Sequence, residues 1–400
     1  MLAFLFCVNL LNYIDRQIVF AVFPLIQEEF RLSDAGLGVL ASMFMWVYLV
    51  SALPLGYWGD RVRRFPLMAG VIGLWSLATV ASGLARSYAQ LLWARAVVGI
   101  GEAGYGAIGP GVISDLYSPA SRGRALSFFF IAIPVGSALG YLLGGGIGER
   151  FGWRAAFWIV GLPGLAASLT ILSLREPDRG ESDVQAAIGR RATVTDLLRN
   201  PTYLWNTLAM TALTFVIGGL AAWMPTFLVR VKGLSVAEAA LQFGSITAIT
   251  GISGTLLGGW LGDHWFKRSI RAYSLLSAAG MAVAVPFVFL ALDADAPAAY
   301  LSGIFLAELM IFLNTAPLNA VIVHSTTPDI RALAFGVNMV VIHALGDAFS
   351  PVLIGSLSDH WGMTAAIAVT APAGLVLAAL LCLKTAGTMK RGDDPHPAIE

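Results

Sequence analysis

The sequence predicts an all-α polytopic membrane protein: twelve transmembrane helices in two pseudo-symmetric six-helix bundles, each built from inverted three-helix repeats. Three observations carry this. The 400 residues are 57% hydrophobic and only 12% charged, about half the charge of an average soluble domain, and mean hydropathy is +0.76. Apolar runs of about 20 residues recur from end to end, each long enough for a hydrocarbon layer of about 30 Å. One cassette, two small residues three apart followed by an acid, closes four of these runs. Its copies are Gly56-Tyr57-Trp58-Gly59-Asp60-Arg61, Gly145-Gly146-Ile147-Gly148-Glu149-Arg150, Gly259-Trp260-Leu261-Gly262-Asp263-His264 and Gly355-Ser356-Leu357-Ser358-Asp359-His360. Small residues at this spacing let two helix backbones approach closely. Four copies in one chain imply an internally repeated membrane protein.

In chain order the helices are predicted over 3–25, 35–59, 66–85, 89–117, 122–147 and 154–174, then over 202–229, 237–262, 270–292, 298–325, 331–357 and 363–384. The cassettes close the second, fifth, eighth and eleventh, so each marks the middle helix of a three-helix unit. The first stretch carries polar residues midway and reads as a span, not as a cleavable leader. Glycines crowd the fourth helix (Gly99, Gly101, Gly104, Gly106, Gly109), and Pro134, Gly136 and Gly140 crowd the fifth. Close packing explains them better than hinging. Between the sixth and seventh helices lies the one long polar stretch, with Glu176, Asp178, Glu181, Asp183 and Arg190-Arg191. The domain plan is therefore an N-terminal bundle over 1–174, a linker over 175–200 with helical stretches on the membrane surface, a C-terminal bundle over 201–385 and a tail over 386–400.

The charges orient this plan. Arg61, Arg63 and Arg64 follow the first cassette, and Lys267, Arg268 and Arg271 follow the third; the other two are followed by fewer. Placing the N-terminus inside puts most of the 25 Lys and Arg on cytoplasmic segments, the bias that sets membrane orientation. Both termini and the linker are then cytoplasmic. The net charge of +1 gives no hint of a nucleic-acid partner. Cys7 and Cys382 sit in apolar segments without metal-ligand spacing, so no metal and no cofactor is expected.

Twelve helices in two halves, with an Asp-Arg loop after the second, resemble the major facilitator superfamily. The signature loop of that family, G-x-x-x-D-R-x-G-R-R, reads here Gly56-Tyr57-Trp58-Gly59-Asp60-Arg61-Val62-Arg63-Arg64-Phe65, with Arg63 at the inner glycine and Phe65 at the last basic position. Arg95 followed by Gly99-Ile100-Gly101 is similar to the family's second motif. Asn12-Tyr13-Ile14-Asp15-Arg16, Gly99-Ile100-Gly101-Glu102-Ala103 and His343-Ala344-Leu345-Gly346-Asp347-Ala348-Phe349-Ser350-Pro351 resemble its Spinster branch. The resemblance implies a secondary transporter whose first, fourth, seventh and tenth helices line a cavity. The Spinster branch implies export of lysolipids and sphingosine-type phospholipids. With 4 lysines to 21 arginines, the composition looks bacterial, placing the chain in a bacterial inner membrane.

The candidate residues follow from the cost of mid-membrane charge, about 2.5–3.5 kcal/mol each. Asp15 and Arg16 lie near the middle of the first helix, and Arg95 and Glu102 are seven apart on one face of the fourth. In the fold implied by the resemblance, all four converge on the cavity. Asp15 and Glu102 are the candidate proton carriers, with Arg16 as the cation for which they compete. Arg16, Arg95, Glu102, Glu308, Tyr13 and Asn12 are the candidate substrate residues, Arg95 alternatively holding a lipid phosphate through its guanidinium. Glu308 on the tenth helix faces either the cavity or its outer vestibule. His343 and Asp347, at i and i+4, form a structural pair in preference to a proton relay. Asp60, Arg61, Arg64, Arg124, Asp263 and Arg331 form a cytoplasmic latch, an acid at a helix start gaining from the helix dipole as well as from arginine.

An enzyme reading has little to stand on. Tyr13-Ile14-Asp15 and Ala344-Leu345-Gly346-Asp347 only faintly resemble the paired aspartates of intramembrane proteases, and twelve helices in two halves do not fit that class. The short tails offer no signalling domain. The expectation is a monomeric, proton-coupled carrier working by alternating access, embedded among membrane lipids and moving lysophospholipid-like amphiphiles outward. The alternative is a carrier of small organic anions or amphipathic drugs.

Overall fold

The computed structural model describes residues 1–178, 193–327 and 330–389. Twelve of its helices are long and apolar enough to cross a membrane. They are α1 Leu2–Ala21, α2 Asp34–Gly59, α3 Arg64–Leu84, α4 Tyr88–Leu116, α5 Ser121–Phe151, α6 Trp153–Leu172, α7 Pro201–Arg230, α8 Val236–Phe266, α9 Ala272–Asp293, α10 Pro297–Ser325, α11 Leu333–Trp361 and α12 Met363–Thr388. The protein is thus a multi-pass integral membrane protein, all-helical over the described residues.

Four helices depart from the continuous rods of the sequence reading, each just before a proline, whereas Pro54, Pro110, Pro163, Pro225, Pro286 and Pro372 lie inside unbroken helices. The first ends at Ala21, and a second short helix, Phe23–Phe30, begins with Pro24 in its first turn. Helix α5 is interrupted at Ile131, before Pro134. Helix α10 breaks at Leu313 and Asn314, before Pro317. Helix α11 widens into a π turn over His343–Asp347, before Pro351. The carbonyl four residues before a proline loses its amide partner and clashes with the ring. Each interruption falls at or within two residues of that carbonyl: Phe20, Phe130, Leu313 and Asp347. A single glycine turns the chain from α5 into α6 and from α11 into α12: Gly152 has φ +82 and Gly362 has φ +81, a left-handed conformation that other residues resist. Equivalent turns at equivalent places are local evidence that the two halves are copies.

By compactness the described residues form two units. One holds the described part of Met1–Ala187 with Ala221–Ala248 and Pro351–Asp359; the other holds the described parts of Ile188–Leu220, Ile249–Ser350 and His360–Glu400. In the first unit α1 packs on α5, α2 on α4 and α3 on α6. Exchanging the triplet α1–α3 with α4–α6 turns the α1–α5 pair into the α4–α2 pair and leaves α3–α6 unchanged, as an inverted repeat requires. In the second unit α9 packs on α12 and α10, matching α3 on α6 and α4. The glycine stripe of α5 serves close packing: a methyl group at Gly140 would sit 2.7 Å from the Ile14 carbonyl oxygen of α1.

Of the linker, residues 193–200 contain one short helix, Val194–Leu198, closed by a Thr193–Asp196 capping box. The rest of the linker after 178 and the tail beyond 389 lie outside the described residues.

Candidate functional site

Helices α1 and α4 bring four charged side chains together inside the first unit. Neighbours on a helix point about 100° apart, and residues seven apart share a face about 10 Å long. Asp15 and Arg16 therefore diverge from α1, whereas Arg95 and Glu102 lie along one face of α4. The outcome is two separate ion pairs. Arg95 Nη1 donates to Asp15 Oδ1 at 2.9 Å, and Arg16 Nε donates to Glu102 Oε2 at 2.7 Å. The Thr79 hydroxyl of α3 also donates to Asp15. Asp15 and Arg95 are each 1% exposed and Glu102 0%, while the Arg16 side chain keeps 15%. Of the two cations, Arg16 is the one within reach of anything entering beside α1.

Aromatic rings frame Arg16. Its guanidinium carbon lies 4.8 Å from the Tyr13 ring centre, 5.3 Å from Phe44 and 4.8 Å from Tyr48. Phe44 also faces Arg95, at 5.3 Å. Such contacts are worth about 0.5–2 kcal/mol each, most where water is excluded. The quartet is neutral as a whole, which is what lets it stay buried. Removing a single member leaves an uncompensated charge that costs about 3–5 kcal/mol. Asn12 is buried one turn before Arg16, and Tyr13 packs its Cβ against Gly136 of α5. Asp15 takes Arg95 and Thr79 where the sequence reading paired it with Arg16 in one state of the switch. Arg95 is turned onto Asp15.

In the second unit, Glu308 of α10 is buried and accepts from the Thr250 hydroxyl at 3.0 Å. His343 Nδ1 lies 3.0 and 2.9 Å from the two carboxylate oxygens of Asp347, on the π turn of α11. Gly218 of α7 faces this turn so closely that a methyl there would sit 2.3 Å from Asp347 Cβ.

The latch candidates have diverse local partners. Arg64 bonds Asp115 of α4 and lies 3.7 Å from Glu176, while its Nη2 donates to the Pro177 carbonyl at 2.9 Å. Glu176 in turn accepts from the amides of Arg64 (2.8 Å) and Phe65 (3.2 Å), an acid at the start of α3. Arg61 lies over the Tyr57 ring at 3.3 Å. Asp60 and Arg124 are exposed. Asp263 accepts from the Tyr273 hydroxyl at 2.8 Å, and Arg331 donates to the carbonyls of Val323 (3.1 Å) and Thr326 (3.4 Å).

Sequence reasoning missed a cluster in the first unit around the start of α2. Asp34 accepts from Gln27 (2.8 Å), Arg230 (2.7 Å) and Ser358 (2.6 Å). Asp359 accepts from the backbone amides of Asp34 (2.8 Å) and Ala35 (2.9 Å). Nearby acids behave alike: Glu149 accepts from the Ala237 amide at 2.6 Å, and Glu29 is gripped by Arg154 at 2.5 and 2.6 Å with Trp153 at 2.8 Å. The Arg154 guanidinium, aided by the Trp153 N–H, holds the Glu29 carboxyl below the usual range. One signal was available: Glu149 and Asp359 occupy the acid position of the repeated cassette.

Known proteins match this chain over most of its length. The family model of the Major Facilitator Superfamily matches residues 5–351. Protein spinster homolog 1 of Xenopus laevis is 37% identical over 381 residues, covering 89% of this chain and 72% of its own length. Its human counterpart is 36% identical over 378 residues, covering 88% and 71%. A solved bacterial homolog to the human lysosomal transporter Spinster, in an inward-facing and unoccupied conformation, superposes with a TM-score of 0.85 at 26% identity, covering 97% of this chain and 95% of its own. The chain belongs to the major facilitator superfamily and, within it, is a transporter of the Spinster type.

Proposed function

We propose that the protein is a secondary active transporter that works by alternating access, couples to a proton gradient and exports lysophospholipid- or sphingolipid-like amphiphiles from a bacterial cell. Both termini lie on the cytoplasmic side, the driving force is the proton gradient, and the working unit is a monomer among membrane lipids. The observation that carries this reading is the pair of buried ion pairs, Asp15–Arg95 and Arg16–Glu102, between α1 and α4.

A buried carboxylate paired with arginine has the makings of a switch, because burial and a nearby cation pull the proton equilibrium in opposite directions. A proton that neutralises Glu102 frees Arg16, the one partly exposed member. A freed guanidinium seeks another anion, and a phosphate fits its planar fork. Tyr13, Phe44 and Tyr48 then supply apolar surface beside the cation, which suits a molecule with a phosphate and a greasy tail. Each unit of pKa difference between two states is worth 1.36 kcal/mol of bias. A change of two to three units, ordinary for buried carboxylates, repopulates a two-state carrier.

The test is uptake of a lysophospholipid such as lysophosphatidylethanolamine into proteoliposomes, with and without an imposed pH gradient. Flux of the lipid that rises with the gradient supports the reading. Gradient-driven flux of small organic anions or amphipathic drugs, with none of lysolipid, transfers the assignment to those substrates.

A further inference from the structure

Resting on that alternating-access reading, we propose that Glu149 and Asp359 are gating residues. Each holds the carrier shut at the α1–α2 end by capping the first turn of a helix from the other half of the sequence, and each releases it when that end opens.

The two caps are copies of one device. Glu149 closes the cassette at the end of α5 and accepts from Ala237 N–H in the first turn of α8, at 2.6 Å. Asp359 closes the cassette at the end of α11 and accepts from Asp34 N–H and Ala35 N–H at the start of α2, at 2.8 and 2.9 Å. Shifting the first half of the chain onto the second turns α5 into α11 and α2 into α8, so the caps exchange with each other. The first amides of a helix have no partner inside it, and the positive end of the helix dipole favours an acid. Asp34 adds a second layer by taking Arg230 from α7 and Ser358 from α11.

Glycine makes the approach possible. A methyl group at Gly145, the first small residue of the α5 cassette, would sit 2.3 Å from Ala240 Cβ and 2.9 Å from the Val236 carbonyl oxygen. At Gly355, the equivalent residue of the α11 cassette, it would sit 2.4 Å from the Asp34 carbonyl oxygen. Those are contacts no side chain makes without displacing backbone. The cassettes of α2 and α8 differ. A methyl at Gly56 would meet nothing closer than Ala107 Cβ at 3.7 Å, and at Gly259 nothing closer than Ala316 Cβ at 3.5 Å, both ordinary distances within the same half. Asp263 bonds Tyr273, again of its own half. The same cassette is thus clamped on a helix start in two copies and uncrowded at its first glycine in the other two. A repeated part found in two conditions is what a two-state carrier requires.

The experiment measures distances between spin labels on the full-length protein in lipid nanodiscs, in a Cys7→Ser, Cys382→Ala background. Labels go on Arg86→Cys and Asp295→Cys, exposed in the α3–α4 and α9–α10 connections. The Glu149→Ala, Asp359→Ala double variant should raise the ratio of the long-distance to the short-distance population about tenfold, about 1.4 kcal/mol, in keeping with the usual worth of caps. Gly355→Ala, which leaves every charge in place, should shift the ratio the same way, and Gly56→Ala should not. Glu149→Gln with Asp359→Asn keeps side-chain size and guards against loss of folding; a smaller shift in the same direction is expected. An unchanged ratio in both double variants, when the wild type shows both populations, overturns the gating role while leaving transport intact. A wild type with one population at every pH and lipid composition overturns alternating access itself, and the gates with it.

Discussion

Arg16 and Glu102 meet at 2.7 Å between α1 and α4, and of the two only the arginine retains any exposure. The cation is therefore the member of the pair open to contact from beside Tyr13 and Tyr48. Replacing Arg16 with alanine should abolish both gradient-driven flux and equilibrium lysolipid binding in detergent. Arg16→Lys should recover little, because an ammonium reproduces neither the planar fork nor the stacking on three rings. Binding at wild-type affinity in Arg16→Ala would remove Arg16 from the substrate site.

Asp15 and Arg95 are buried together, with Thr79 on the same carboxylate. Arg95→Met alone leaves an unpaired acid in the interior and should cost about 3–5 kcal/mol. The Asp15→Asn, Arg95→Met double variant removes the charge from both sides and should recover most of that loss. Thermal unfolding in detergent measures both. Losses that simply add would show that the two side chains do not depend on each other.

Glu29, in the short helix outside the spans, gives a pH dependence through its pair with Arg154 at the start of α6. The Glu29 carboxyl is held below its ordinary value by the Arg154 guanidinium. A depressed folded-state pKa contributes stability that is present above the unfolded value and is lost as pH falls through the folded one. The melting-temperature gap between wild type and Glu29→Gln should therefore be largest near neutral pH and shrink below about pH 4. The pair is partly exposed, Glu29 at 41% and Arg154 at 30%, so the gap should be small and should narrow in high salt. A gap that widens with acid would refute the pairing.

Orientation follows from the basic residues that crowd the α2–α3 connection and the region before α7. Single cysteines at Thr195 and Gly387, in the cysteine-free background, should react with an impermeant maleimide in inside-out vesicles and not in intact cells. Labelling of either from outside would reverse the topology.

Much of the fold was legible because its determinants are local. Apolar runs and the cassette can each be read within about 30 residues, whereas the breaks in α1, α5, α10 and α11 went unread, because a proline follows each of them but others lie inside unbroken helices. The candidate site was legible only by type. Asp15 and Arg16 stand 80 and 86 residues from the partners they meet, so nothing in α1 says which arginine takes which acid. Thr79 carries no signal at all in an apolar helix. The Asp34, Arg230 and Asp359 cluster was passed over because polar residues at helix ends look like ordinary solvated caps. The cassette register was the clue to the Asp359 contacts of that cluster and to the separate Glu149 contact with Ala237.

The most direct test of proton coupling through the two ion pairs is lysolipid flux into proteoliposomes carrying the Asp15→Asn, Glu102→Gln double variant, which holds both positions neutral. The account predicts that the variant still binds lysolipid in detergent but shows no acceleration of flux when a pH gradient is imposed, whereas the wild type does. Undiminished gradient-driven flux in the variant would contradict it and leave Asp15 and Glu102 as structural ion pairs.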